Sequence, residues 1–98
     1  MSANDSYQRQ LNLLTQLQNQ LHSLGVSIDA IRSKYQQQIR TANDAGFMSD
    51  YTNNLENRFV RFSALSDGLL EHIEASRVEI NFQEEVLHDL ATRANDDQ

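Results

Sequence analysis

Ninety-eight residues, 39% hydrophobic and 22% charged, amount to one domain's worth of chain. With no Cys, the chain has no disulfide framework, no thiolate metal site and no cysteine nucleophile. Eight basic against fourteen acidic residues leave a net charge of −6, a poor match to nucleic-acid phosphates or an anionic membrane surface.

The chain opens without a basic leader, and it holds no apolar run of the length a membrane span needs. It contains no Pro and only three Gly, so few positions force a helix to stop. From Tyr7 to Ala42 the apolar residues recur at alternating spacings of three and four. Leu14, Leu17, Leu21, Leu24, Ile28, Ile31 and Tyr35 occupy successive a and d positions of a heptad. A strand would alternate every second residue, which this segment does not do. The pattern predicts a helix over 7–42, with Asp5 as its cap and Gln8 three residues on.

A bend is predicted over 43–49. Gly46 offers the left-handed residue that ends a helix, and Ser49 or Asp50 can cap the next one. A second helix is predicted over 50–93, its track running through Leu55, Phe59, Phe62, Leu69, Ile73, Ile80, Leu87 and Leu90. Ser66, Ser76 and Gln83 interrupt that track. The tail, 94–98, is polar and expected to fray.

A short link makes the helices antiparallel neighbours, so facing residues should have numbers that add to a constant. Tyr35 with Phe59, Leu21 with Ile73 and Leu14 with Ile80 each add to 94; Ile31 with Phe62 and Leu24 with Leu69 add to 93. The fold point falls beside Gly46. Ser66 then faces Ile28, Ser76 faces Leu17, and Gln10 and Gln83 form a polar layer. Gly25 and Gly68 share the constant, which suggests close approach there. The expected fold is therefore all-α: an antiparallel, coiled-coil-like two-helix hairpin in a single domain.

Such a hairpin has a thin core, and its apolar stripe is wider than one seam requires. Leu11, Leu13 and Ile39 flank the stripe on the first helix; Leu65, Leu70 and Val86 flank it on the second. Val60, Val78 and Phe82 lie further round. Single apolar residues on a surface are ordinary, but Val78, Phe82 and Val86 form a stripe at helical spacing. Val60, Leu65, Leu70, Val78, Phe82 and Val86 are accordingly the expected partner-binding residues, in a four-helix bundle with a second copy or another protein.

Charge divides unevenly. Residues 1–49 carry four basic and three acidic groups, and residues 50–98 carry four and eleven. A solvated face explains most of this; a basic partner for the acidic half is the functional alternative.

No catalytic, cofactor-binding or metal-binding residues are assigned. Glu85 and His88 have the Glu-x-x-His spacing of carboxylate-bridged metal bundles, but such a site needs a second pair and two further glutamates. The first helix contains no Glu, and neither His22 nor His72 has Glu three residues before it. Gly25, Gly46 and Gly68 are isolated, so no phosphate-cradling loop exists. A carboxylate-metal bundle stays a minor alternative, reached only through a symmetric dimer.

The bend segment Asp44-Ala45-Gly46-Phe47-Met48-Ser49-Asp50-Tyr51 sits at the midpoint of the chain, with a glycine followed closely by an aromatic. In this and in its whole-length layout the chain resembles the WXG-type proteins of ESX (type VII) secretion, and the small hairpin proteins that pair with LXG effectors. Asp44 stands where that family has Trp. At the spacing of the family's C-terminal aromatic–acid export signal, Phe82 is followed by Val86. The resemblance implies a bacterial protein, cytoplasmic or exported without a leader, that pairs with a like chain or with an effector's helices. The function expected is non-enzymatic: an adaptor or chaperone that buries apolar helices of a partner protein. A structural subunit or tether of a larger complex is the alternative.

Overall fold

A computed structural model describes residues 3–47 and 49–96, the side chains of the second segment as far as Ala94. It is an all-α helical hairpin. Helix α1 spans Ala3–Asp44 and helix α2 spans Ser49–Asp96. Both run longer than the expected 7–42 and 50–93, because nothing in the flanking residues breaks them. Asp5 lies inside the first turn of α1, and Ser49 and Asp50 inside the first turn of α2. There the acids favour the positive helix end through their charge. Asn95 and Asp96, expected to fray, are helical; Asp97 and Gln98 lie outside the described residues.

The bend is built on backbone hydrogen bonds. The Phe47 amide donates to the Ala42 carbonyl at 3.2 Å, and the Gly46 amide donates to the Asn43 carbonyl at 3.1 Å. This pair is a Schellman closure, which needs a left-handed residue just past the helix. Gly46 supplies it at φ 77°.

The chain divides into two compact units. A bend unit comprises Leu24–His72, and a terminal unit comprises Met1–Ser23 with Ile73–Gln98. In the bend unit Ile28, Ile39, Ala42 and Ser66 are buried, and Tyr35 packs between Phe59 and Phe62 with ring centroids 5.5 and 5.7 Å apart. Ser66 is 2% exposed and tolerates burial because its hydroxyl donates to the Phe62 carbonyl, one turn back, at 2.8 Å. In the terminal unit Leu11, Ile73, Ile80, Leu87 and Ala91 are buried. Leu14 and Leu21 are half-buried there, as are Leu55, Phe59 and Phe62 in the bend unit.

These positions rotate the seam by one residue from the expected track. On α1 it runs through Leu11, Leu14, Gln18 and Leu21, then Gly25, Ile28, Arg32, Tyr35, Ile39 and Ala42. Leu17, Leu24 and Ile31 on α1, and Leu69 on α2, are expected core residues that prove exposed. Leu11 and Ile39, expected to flank the seam, are buried in it. Leu70, expected to meet a partner, is half-buried and faces Gly25. The reason is that the three- and four-residue spacings fit two adjacent stripes equally well. One combines the Leu14–Leu21–Ile28–Tyr35 row with Leu17, Leu24 and Ile31; the other combines it with Gln18, Gly25 and Arg32. Polar contacts across the helices select the second.

Two further expectations change with it. Gln10 and Gln83 do line one recess, with Leu13, Leu14 and Leu87, but their amides donate on their own helices, Gln10 to Ser6 and Gln83 to Glu79. The two helix-interior glycines do not meet. A Cβ on Gly25 would lie 3.7 Å from a Leu70 methyl, and one on Gly68 would meet nothing within 4 Å. Gly68→Ala is therefore expected to raise stability by about 0.5–1 kcal/mol, the ordinary penalty for glycine inside a helix. The thermal midpoint measures it, and a fall in midpoint would mean that the site is closed to a methyl group.

Candidate interaction surface

Each unit has two unlike flanks. A residue just before a seam residue lies on one side, and a residue just after it lies on the other. Because the helices are antiparallel, the first set from α1 and the first set from α2 share one face.

In the bend unit that face carries Leu24, Ile31, Leu65 and Leu69, at 51, 53, 70 and 54% exposure. Half-buried Phe62 lies among them. Towards the bend, the Phe47 and Tyr51 rings meet at 5.4 Å with a 39° tilt, and both are more than half exposed. With Tyr35, Ile39, Ala42 and Leu55 they line a small recess of about 180 Å³. The opposite face is mixed, with Val26 and Val60 exposed among polar and charged residues. Arg32, half-buried in the seam, reaches across to Asp67 at 2.9 Å and lies 3.9 Å from Asp29. Its Nε and Nη2 are buried without hydrogen-bond partners. Of the expected partner residues, Leu65 belongs to the apolar face and Val60 to the mixed one.

In the terminal unit the polar flank is better satisfied. The Gln18 amide donates to the Arg77 carbonyl at 2.8 Å and to Asn81 Oδ1 at 2.6 Å, and Arg77 Nε donates back to Gln18 Oε1 at 3.1 Å. These groups, with Thr15, Asn19, His22 and Glu84, line an open polar cleft of about 400 Å³. Arg77 also pairs with Glu74 at 3.6 Å, and Arg93 with Asp89 at 3.1 Å. Glu74, which has Val78 four residues on, thus finds its cation at three, while Asp89 finds its own at four. The apolar flank here is interrupted by Gln10, Ser76 and Gln83, between Leu13, Leu17 and Val86. Val78 and Phe82 point further outwards, at 60 and 57% exposure.

Among the described residues no group of three or more His, Asp or Glu is placed to share a metal ion; Glu85 and His88 are both exposed. Among the same residues, no helix is long and apolar enough to cross a membrane. Comparisons with protein-family models, curated proteins and solved structures give no match to this chain. The feature of the bend unit that stands out is its exposed apolar face, formed by Leu24, Ile31, Leu65 and Leu69.

Proposed function

We propose that the hairpin is a non-enzymatic protein–protein interaction module, an adaptor or chaperone that buries apolar helices of a partner. The supporting observation is the apolar face of the bend unit. Leu24, Ile31, Leu65 and Leu69 are each more than half exposed and stand on one side of the seam. Contiguous apolar patches of this kind mark interaction sites in soluble proteins. Two helices that each bring a half-covered stripe need further helices to cover it, as in a four-helix bundle. The resemblance to type VII secretion hairpins supports a role for such a module in a bacterial secretion system.

The double variant Leu24→Glu/Leu69→Glu tests this reading. Both side chains are exposed, so helicity by circular dichroism should change little. Molar mass by light scattering, or capture of client helices, should fall by about tenfold in affinity or more, since each new carboxylate would be desolvated in the complex. Unchanged mass and unchanged capture would make this face ordinary surface.

A further inference from the structure

The apolar face of the bend unit has a basic rim, although the chain as a whole is acidic. Lys34 precedes seam residue Tyr35 and Arg58 precedes Phe59, so the two cations stand at opposite outer edges of the face. Both are exposed, and neither makes an ion pair within 4 Å among the described residues. The acids of this unit that enter ion pairs or stand beside Arg32, Asp29 and Asp67, lie on the opposite face. An occupant suited to this face is a helix with an apolar ridge and an acid on either side.

The terminal unit carries such a ridge on the outside of α2. Val78, Phe82 and Val86 recur every fourth residue and are all exposed. Glu79 and Glu85, each three residues from Phe82, flank the ridge about 60° to either side at 100° per residue. Neither glutamate is in an ion pair among the described residues. The ridge and the face also match in length. From Val78 to Val86 the helix rises about 12 Å, and from Leu24 to Ile31 about 10 Å.

We propose that the bend unit's apolar face takes the Val78–Phe82–Val86 ridge of a second copy, with Glu79 and Glu85 set against Lys34 and Arg58. This rests on the docking reading above and names the partner. The contact joins unlike surfaces, so reciprocal docking closes a dimer, and one-way docking extends a chain of subunits. Rim charges of opposite sign steer and orient the encounter, while the apolar residues supply most of the affinity.

The test is charge reversal with complementation in the full chain, read as molar mass across a concentration series at low and high salt. Wild type should self-associate, more weakly at high salt. Lys34→Glu/Arg58→Glu and Glu79→Lys/Glu85→Lys should each weaken association by about tenfold, with helicity retained. Mixed together, the two variants should associate again, because the reversed rim fits the reversed ridge. A monomeric wild type, or a mixture that stays dissociated, overturns the proposal. If Leu24→Glu/Leu69→Glu dissociates the wild-type assembly while both charge reversals leave it intact, the face docks something other than this ridge. The proposal then fails and the docking reading stands. If neither the apolar nor the charge variants alter mass, both fail.

Discussion

Ile73→Glu is expected to unfold the hairpin. Ile73 is 8% exposed in the seam of the terminal unit, and Arg77, one turn on, is already engaged by Gln18 and Glu74. A carboxylate there would be buried without a partner, at a cost of about 3–5 kcal/mol, in addition to the lost isoleucine. A two-helix core has little reserve against that. Circular dichroism should show most of the helical signal lost at 25 °C, whether or not another chain is present. Phe82→Glu is the matched control: Phe82 is 57% exposed, so the same new charge should leave the helices formed. Equal loss of helicity in both variants would contradict the placement of the seam.

The next largest effect is expected at the bend. Gly46 holds φ 77° and closes the Schellman motif through its own amide. Valine at that φ pushes a β-branched side chain against its own carbonyl, costing about 1–2 kcal/mol. Nothing lies within 4 Å of the position a Cβ would take, so the penalty is conformational and not a clash with a neighbour. Asparagine, which tolerates left-handed backbone, should therefore recover most of the loss. Denaturant midpoints for Gly46→Val and Gly46→Asn measure this. If the two variants are equally destabilised, the effect comes from something other than φ.

The hairpin was legible in the sequence because two independent signals agreed: unbroken helical periodicity, and pairs of residues adding to a constant. Three of those pairs fall on the seam row, and one, Tyr35 with Phe59, is a ring contact at 5.5 Å. The rotation of the seam was not legible from hydrophobicity. Leu17, Leu24 and Ile31 are better core residues than Gln18, Gly25 and Arg32, and a rule that buries the most apolar stripe chooses wrongly. A second constant was present in the polar residues. Gln18 with Asn81 and Arg32 with Asp67 both add to 99, and both pairs bond across the helices. Long polar side chains matched across a hairpin locate the seam because only one rotation lets them meet. The apolar face followed directly from this choice, since the leucines left out of the seam are the ones that line it. Val78 and Phe82 were recognisable as exposed from spacing alone, but their relation to Lys34 and Arg58 needed the seam first.

The Schellman closure at Gly46 also sets an order of events during folding. The cross-helix bond from Arg32 to Asp67 closes a sequence separation of 35 residues, and that from Gln18 to Asn81 closes 63. Forming the more distant contact first costs about 0.5 kcal/mol more in loop entropy. Once the bend is made, each successive layer closes only a few further residues, so the helices zip from the bend towards the termini. Unzipping runs the other way, and amide exchange should be fastest near Asn4 and Ala94 and slowest beside Ser66.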